Sequence, residues 1–333
     1  GIVRTRLYDD ASRVESVTFS TGRETRFSYD FNNNAREIQR IVAGVPTKTT
    51  FSFDAMDRPL TVTDAFNQVV AYAYDAANRL KTTVYPGNKT LTRAYDVGGR
   101  LETLSDWATP ARVSRFTYDK AGRLKTHLYP NGITAAIGYD NAGRVATLDH
   151  GTAATPQQIA LRYAYDRNGN KTSETKKGTL AWQPGTTAGQ VAPFDESFTP
   201  TAAGRLVSST DALNPARNFT YTYDDSGNMR RAQSSGATYE FTYDEDNRVM
   251  AVGHTAGATT TNIANRYDAL GRRIARALNG TETRYVLDLT GGMERIFADS
   301  DATGTITARY VHGPDGLGYR EDASGAIATF PPP

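Results

Sequence analysis

The residues best suited to proton transfer or metal binding are four histidines, His127, His150, His254 and His312. Histidine titrates near neutral pH and is a frequent metal ligand. The four lie far apart in the sequence, and none belongs to a His-Glu-x-x-His zinc motif. We therefore expect them at surface or strand positions, and we predict no bound metal and no cofactor.

Two acidic segments resemble known functional motifs. Asp225-Ser226-Gly227 matches the aspartic-protease triplet, and residues 299–310 resemble the first half of an EF-hand calcium loop. Gly227, however, occupies a repeated turn position described below, and Tyr310 stands where the calcium loop has its last Glu. Both segments are better explained as hairpin turns.

Other catalytic signatures are missing from the sequence. There is no Cys, which excludes disulfides, thiol catalysis and Cys-ligated zinc. There is also no nucleophile elbow, phosphate-binding P-loop or Gly-rich dinucleotide loop. We expect no enzymatic activity.

The most frequent motif is a Tyr-Asp pair followed by two variable residues, Gly or Asn, Arg and an aliphatic residue. Its clearest copy is YDKAGRL, which starts at Tyr118, and copies recur about every 21 residues. Phe53-Asp54 begins one variant copy, and PTAAGRL at Pro200 is a decayed one. The repeat residues to which we assign a structural role are Tyr8, Asp9, Arg13, Tyr74, Asp75, Arg79, Tyr95, Asp96, Gly99, Arg100, Tyr118, Asp119, Gly122, Arg123, Tyr139, Asp140, Gly143, Arg144, Tyr243, Asp244, Arg248, Tyr267, Asp268, Gly271 and Arg272.

The motif predicts the tip of a β-hairpin. With the aromatic residue as position 0, position 4 holds Gly, Asn, Asp or Ser, and Gly and Asn in particular tolerate a left-handed backbone. Asp at position 1 and such a residue at position 4 indicate a type I turn with a bulge. Position 0 should then pair with position 6, and position 1 with position 5. Strand alternation would place Tyr on one face and Asp and Arg on the other.

Some features of the repeat are irregular. Lys171, Arg273 and Pro59 replace the aliphatic residue at position 6, and we expect weaker or frayed tips there. Midway between motifs lie second turns, and YPNGI at Tyr129 and YPGNK at Tyr85 predict two-residue loops. The tracts between turns are rich in Thr, Val, Tyr and Phe, and no segment shows an amphipathic helical pattern. The predicted fold is an all-β strip of antiparallel hairpins.

Composition agrees with an extended wall. The chain has 333 residues, 38% of them hydrophobic, a mean hydropathy of −0.54 and a formal net charge of +2. A sheet with two faces and no thick centre needs less apolar content than a globule. Charges of both signs are mixed along the chain, so we expect no nucleic-acid partner. No apolar run approaches about 18 residues, so we expect no membrane-spanning helix.

The repeat spacing also predicts the organisation of the chain. We expect a single repeat array over residues 1–325, with an inserted loop at about 176–198 and a Pro-rich exit segment at 326–333. Because the sequence opens within the pattern, we read it as part of a longer or processed chain.

The YDxxGRL motif at this spacing resembles the YD repeat of Rhs proteins, insecticidal toxin-complex shell proteins and teneurins. The resemblance implies one long antiparallel sheet that spirals into a hollow shell or tube. In Rhs and toxin-complex proteins the shell encloses a C-terminal toxin, and in teneurins it is part of an adhesion ectodomain. Residues 313–317, GPDGL, are superficially similar to the family's self-cleavage segment, but the spacing differs and no cleavage residue is assigned.

Three functions fit these observations. The first is a non-catalytic segment of a secreted or cell-surface bacterial shell that carries a toxin, with the rest of that shell and the toxin domain as partners. The second is an extracellular filament, tube or sheath made of many copies of the chain. The third is an adhesion module that binds glycans, because aromatic faces stack on sugar rings and Arg bonds hydroxyl groups.

Overall fold

The computed structural model describes residues 2–157, 159–169, 171–177, 196–202, 205–212, 214–288 and 295–329. Within these ranges every long element is a β-strand, and the helical content is one 3₁₀ turn at Pro215–Arg217. No helix in the described ranges is therefore long enough to cross a bilayer.

The described strands form two antiparallel sheets in which each strand pairs with its neighbours in sequence. The first sheet contains β1 Arg4–Tyr8, β2 Val14–Phe19, β3 Glu24–Tyr29, β4 Ala35–Val42, β5 Val45–Phe53, β6 Pro59–Thr63, β7 Val69–Tyr74, β8 Leu80–Tyr85, β9 Lys89–Tyr95, β10 Leu101–Ser105, β11 Val113–Tyr118, β12 Leu124–Leu128, β13 Thr134–Tyr139, β14 Val145–Gly151, β15 Ile159–Tyr165 and β16 Lys171–Lys177.

The second sheet continues the same pattern. Its strands are β17 Glu196–Pro200, β18 Leu206–Asp211, β19 Phe219–Tyr223, β20 Met229–Gln233, β21 Ala237–Tyr243, β22 Val249–Ala256, β23 Thr259–Tyr267, β24 Arg273–Leu278, β25 Thr281–Asp288, β26 Arg295–Asp301, β27 Ile306–Gly313, β28 Gly316–Asp322 and β29 Ile327–Thr329. Sequential antiparallel pairing makes each sheet a strip of hairpins, which confirms the predicted all-β fold.

The hairpin tips have the predicted loop geometry. In the β11–β12 tip the N–H of Gly122 donates to the carbonyl of Asp119, and the N–H of Asp119 donates to the carbonyl of Arg123. These two bonds define a type I turn closed by a bulge at the left-handed residue. Position 4 has positive φ in every described copy, namely Ser12, Asn33, Asp57, Asn78, Gly99, Gly122, Gly143, Gly169, Gly227, Asn247 and Gly271.

The strand register contains one more irregularity than the sequence predicts. Tyr118 pairs with Leu124, as position 0 with position 6 should. The residue before Tyr118, Thr117, pairs with Thr126, so Lys125 has no partner on the opposite strand and forms a bulge. In other YD hairpins the register shifts in the same way between the aromatic residue and the residue before it. A bulge of this kind increases the local twist and changes where the neighbouring side chains point.

The expectation of frayed tips at unusual position-6 residues is wrong. Pro59 pairs with Phe53, Arg273 with Tyr267 and Lys171 with Tyr165. These tips close because their hydrogen bonds are made by backbone groups and by the Asp at position 1. An aliphatic side chain at position 6 is not required for them.

The second turns also differ from one expectation. In YPNGI the N–H of Tyr129 donates to the carbonyl of Ile133, and the N–H of Gly132 donates to the carbonyl of Tyr129. This is the same three-residue loop as at the YD tips, not the two-residue loop predicted from Asn-Gly. The two acidic motifs are plain turns as expected, with positive φ at Gly227 and Gly304.

The two sheets contact each other along one border. A buried apolar cluster lies between them, formed by Val62, Val70, Tyr72, Tyr85, Leu91, Leu104 and Phe116 of the first sheet and Val286, Phe297, Ala298, Val311 and Tyr319 of the second. The rings of Tyr85 and Phe297 lie 4.6 Å apart. The expectation of a wall without a thick centre is therefore corrected at this border, where burial of each large apolar side chain contributes about 1.5–3 kcal/mol.

The predicted insertion falls mainly on residues 178–195, which lie outside the described ranges. Near the end of the chain, β29 pairs with β28, so the ladder continues beyond residue 325. The division of the chain into an array and an exit segment stays a prediction.

Candidate functional site: the tip lattice and the seam

The Asp at position 1 and the Arg at position 5 form a closed unit in each tip. In the β11–β12 tip one carboxylate oxygen of Asp119 accepts the backbone N–H groups of Ala121 and Arg123, both at 2.9 Å. The other oxygen accepts the Nε of Arg123 at 2.7 Å. The backbone N–H of Arg123 and its guanidinium hold the pKa of Asp119 below its usual value, against the opposing effect of burial.

All the Asp and Arg residues assigned from the sequence form such pairs. Their separations are between 2.5 and 2.7 Å for Asp9 with Arg13, Asp75 with Arg79, Asp96 with Arg100, Asp119 with Arg123, Asp140 with Arg144, Asp244 with Arg248 and Asp268 with Arg272.

The Arg of one repeat also stacks on the Tyr of the next repeat. The guanidinium carbon of Arg123 lies 4.3 Å from the ring centre of Tyr139. Cation–π contacts of this kind contribute about 0.5–2 kcal/mol, depending on exposure. The sequence did not predict this contact, because alternation within one hairpin places Tyr and Arg on opposite faces. It recurs for Arg13 with Tyr29, Arg58 with Tyr74, Arg79 with Tyr95, Arg100 with Tyr118, Arg144 with Tyr165, Arg205 with Tyr223 and Arg248 with Tyr267.

The Tyr hydroxyl adds a second link between repeats. The hydroxyl of Tyr139 donates to the carbonyl of Leu124, which is position 6 of the preceding copy, at 2.9 Å. The same bond joins Tyr29 to Val14, Tyr74 to Pro59, Tyr95 to Leu80, Tyr118 to Leu101, Tyr165 to Val145, Tyr223 to Leu206, Tyr243 to Met229 and Tyr267 to Val249. Together, the Asp–Arg pairs, the Arg–Tyr stacks and these hydroxyl bonds form what we call the tip lattice.

Position 4 takes part in the tip lattice as well. Nη1 of Arg13 donates to the side-chain oxygen of Asn33 at 2.8 Å, and Arg58 bonds Asn78 in the same way. Where position 4 is glycine the guanidinium passes close to it, and a Cβ on Gly143 would lie 3.4 Å from Arg123. Asn and Gly therefore suit this position both for their backbone conformation and for their contact with the preceding Arg.

The tip lattice is incomplete at β1. Tyr8 is 55% exposed, although it belongs to a regular motif. The described ranges contain no Arg stacked on its ring and no carbonyl that accepts its hydroxyl. Leu7 beside it is 57% exposed, and every residue of β1 is exposed. This edge has the features of an internal repeat without a neighbour.

The seam is the border where second turns of the first sheet meet the second sheet. Ion pairs between the two sheets lie at one end of it. Arg23, in the turn between β2 and β3, lies 3.1 Å from Glu245 in the β21–β22 tip. Arg40 donates to the carbonyl of Tyr267 at 2.8 Å and lies 3.3 Å from Asp244. Burial lowers the pKa of the Arg40 guanidinium. Buried arginines thus join tips of the second sheet to the β2–β3 turn and to strand β4 of the first.

The other end of the seam is centred on Glu321 of β28. Its carboxylate accepts the indole N–H of Trp107 at 3.0 Å and pairs with Arg112. Arg112 also pairs with Asp106 at 2.5 Å, and Asp106 accepts the hydroxyl of Tyr319 at 2.7 Å. The turn containing Asp106 and Trp107, residues 106–112, is longer than most other second turns. Its length was the sequence signal available for this cluster.

All four histidines lie in strands, one of the two kinds of position expected for them, and two of them are buried. His127 and His150 are 1% and 5% exposed. Burial lowers the pKa of His150 and of His312, whose Nε2 lies 2.9 Å from the carbonyl of Ile296. His254 stacks on Tyr239. Among the described residues no three His, Asp or Glu side chains are arranged to hold a metal ion.

The fold and the tip lattice define a class of protein: an all-β repeat protein whose hairpin tips are linked by Tyr, Asp and Arg. The family model of the RHS repeat matches residues 53–90, and the same YDxxGR lattice extends through both sheets. The chain therefore carries an RHS repeat at residues 53–90 and repeats the same Tyr-Asp motif in both sheets. A comparison with curated protein sequences finds no significant match.

The chain is similar to several solved structures. The crystal structure of TcdB2-TccC3 is 14% identical over 98% of this chain and 25% of its own, with a TM-score of 0.50. That of TcdB2-TccC3-Cdc42 is 13% identical over 98% and 24%, also with a TM-score of 0.50. The Tc holotoxin pore from Photorhabdus luminescens is 14% identical over 98% and 24%, with a TM-score of 0.47. The chain spans about a quarter of the length of these proteins.

Proposed function

We propose that this chain is a non-catalytic wall segment of a larger YD-repeat shell. The observation that carries the proposal is the incomplete lattice at β1. Tyr8 presents a ring and a hydroxyl whose internal counterparts each bind the preceding repeat. An exposed strand edge readily accepts another strand. The partner that fits is another YD-repeat hairpin, with Arg at position 5 and a free carbonyl at position 6.

Containment of a toxin is the function that such a wall would serve. The family resemblance and the fold shared with TcdB2-TccC3 support this proposal. A sheet wall whose tips and seam are held by paired charges separates an interior from the surroundings without catalytic groups. Such a shell would act outside the bacterial cell.

Electron microscopy of the assembled protein tests the proposal. We expect a closed particle in which another YD-repeat strand pairs with β1 and a second polypeptide segment lies inside the wall. Tyr8→Ala should reduce the assembled fraction severalfold, because it removes the ring that the added Arg would cover. Phe31→Ala is the matched control, since Phe31 is a fully exposed aromatic residue at another tip. A particle in which β1 remains a free edge contradicts the proposal.

A filament made of many copies is the second candidate, and the same exposed edge favours it. Open self-association would give elongated particles whose length increases with protein concentration, whereas a closed shell would have a fixed size. Negative-stain images over a range of concentrations separate the two. Glycan binding has less support, since the repeated Tyr and Arg side chains of the internal tips already bind one another.

A further inference from the structure

Two buried histidines lie in a column of aromatic rings on the first sheet. The rings of Phe116 and His127 are 4.4 Å apart, those of His127 and Tyr129 are 3.9 Å apart, and those of Tyr129 and His150 are 6.2 Å apart. The column crosses strands β11, β12 and β14 and the turn after β12.

An acidic turn of the second sheet contacts this column. Asp315, between β27 and β28, places one carboxylate oxygen 2.8 Å from Nδ1 of His127. Gly318 of β28 also lies close to the ring, because a Cβ added to Gly318 would be 3.6 Å from Cε1 of His127. The β27–β28 turn is therefore fastened to the column through the His127–Asp315 pair, and we call this contact the histidine fastening.

The polar atoms around the histidine fastening are incompletely satisfied. Nε2 of His127, Nε2 of His150 and Oδ1 of Asp315 are each buried without a hydrogen-bond partner among the described residues. A buried polar atom without a partner is energetically costly. Neither Nε2 atom contacts an acceptor among the described residues, so a proton added there would be buried without a hydrogen-bond partner.

The charges that face the column are unequal. Each of the strands β12 and β14 contributes one imidazole, and the β27–β28 turn contributes the carboxylate of Asp315. Asp149, also on β14, is already paired with Arg162 of β15 at 2.6 Å. Tyr129 stays neutral, because burial raises the pKa of its hydroxyl. One unmatched carboxylate therefore faces two imidazoles.

We propose that the histidine fastening is an acid-sensitive joint, which holds the β27–β28 turn against the first sheet at neutral pH and releases it on mild acidification. A proton added to His150 would bury a positive charge in the column, where the carboxylate of Asp315 is already paired with His127. Movement of the turn away from the column would let water reach the rings and remove that cost.

The direction of the pH effect follows from His150. Burial holds its pKa below the ordinary value of 6.5, with a further decrease from His127 that opposes the increase caused by Asp315. A released joint binds protons more readily than a closed one, so the closed joint is at full stability above about pH 6.5. Its stability decreases as the pH falls from there through the lower pKa of the closed state.

Hydrogen-exchange mass spectrometry of the whole protein tests the proposal. After correction for intrinsic exchange rates, the protection of residues 311–319 should fall about tenfold between pH 7.5 and pH 5. Strands β21 and β22, remote from the joint, are the internal reference and should keep their protection. Constant protection of 311–319, or an equal loss in β21 and β22, would overturn the proposal without any variant.

A pair of variants assigns the effect to the cluster. His150→Gln removes one titrating ring and should reduce the pH-dependent loss of protection at least threefold. His254→Gln, a control that also replaces a histidine stacked on a tyrosine, should leave the loss unchanged. The same pH dependence in His150→Gln as in the parent protein would show that His150 does not operate the joint.

Discussion

At the scale of single residues, position 4 of the repeat shows how two requirements select the same amino acids. The backbone there is left-handed, and the guanidinium of the preceding repeat lies against it. Glycine meets both requirements because it has no Cβ. Asparagine meets them because it tolerates positive φ and accepts a hydrogen bond from the Arg, as Asn33 does.

Gly122→Val tests the backbone requirement. Gly122 has φ of 79°, and a β-branched residue is strained there, so we expect the free energy of unfolding to fall by more than about 1 kcal/mol. Urea denaturation followed by circular dichroism measures the change. Gly122→Asn should remain close to the parent protein, because Asn78 occupies the equivalent position with φ of 62°. Equal stability of Gly122→Val and the parent would contradict the left-handed assignment.

Asp64 provides a pH-dependent test at the same scale. Burial raises its pKa to about 6, and its Oδ2 is buried without a partner among the described residues. The folded protein therefore binds a proton more readily than the unfolded chain, and stability falls as the pH rises from about 4 to about 6. Asp64→Asn should raise the free energy of unfolding at pH 7 by about 1–3 kcal/mol.

The pH profile separates titration from packing in this variant. The advantage of Asp64→Asn should shrink below pH 6 and disappear below about pH 3, where Asp64 is protonated in both states. Its Oδ1 accepts the N–H groups of Phe66 and Gln68, which an Asn side chain can also accept. An advantage that is constant from pH 4 to pH 7 would show that the charge of Asp64 is not the cause.

At the scale of the element, each hairpin is stabilised as much by its neighbour as by its own turn. An isolated two-stranded hairpin is marginal in water. In the tip lattice the Arg of one hairpin covers the Tyr of the next, and the Tyr hydroxyl bonds back to the first. Stability of a repeat array depends on such nearest-neighbour terms. The strip should therefore unfold cooperatively over several repeats.

A double-mutant cycle on Arg123 and Tyr139 measures one neighbour term. Arg123→Lys keeps the charge but loses the planar fork and the stacking, so we expect a loss of about 1–2 kcal/mol. In a Tyr139→Leu background the same change should cost about 0.5–1 kcal/mol less, because the stacked ring is already absent. Chemical denaturation of the four proteins gives the coupling energy.

Arg115→Lys is the matched control for the cycle, since Arg115 is exposed on β11 and lies outside the tip lattice. It should change stability by less than about 0.5 kcal/mol. Additive effects of Arg123→Lys and Tyr139→Leu would mean that the stacking contributes nothing measurable to the link between repeats.

At the scale of the whole molecule, the seam decides how the two sheets are arranged. Its contacts join residues more than 200 positions apart, such as Trp107 with Glu321 and Arg40 with Tyr267. These contacts combine buried charge with an apolar cluster. Buried ion pairs are costly to break from one side, because the remaining charge is left without a partner.

Glu321→Ala tests the seam. Glu321 accepts Trp107 and pairs with Arg112, so its removal should lower the free energy of unfolding by about 3–5 kcal/mol. Trp107 fluorescence and circular dichroism should report the same loss. Glu240→Ala is the control, since Glu240 is 70% exposed and its ion pair with Arg231 is long at 3.8 Å. Equal effects of the two variants would show that the seam ion pairs are not structural.

The sequence by itself determined the features that arise from local backbone chemistry. Asp at position 1 and Gly or Asn at position 4 specify a turn within a few residues, and the turn specifies which strands pair. The hairpin strip, the left-handed residues and the pairing of Tyr118 with Leu124 followed from this.

Only the tertiary structure decided the contacts that depend on distance between repeats and between sheets. The stacking of Arg123 on Tyr139 depends on a bulge that redirects side chains, and no local signal predicted that bulge. The burial of His127 against Asp315 joins parts of the chain 188 residues apart. Such contacts are set by sheet twist and packing, which sum small effects over many residues, whereas a turn is set by a few residues.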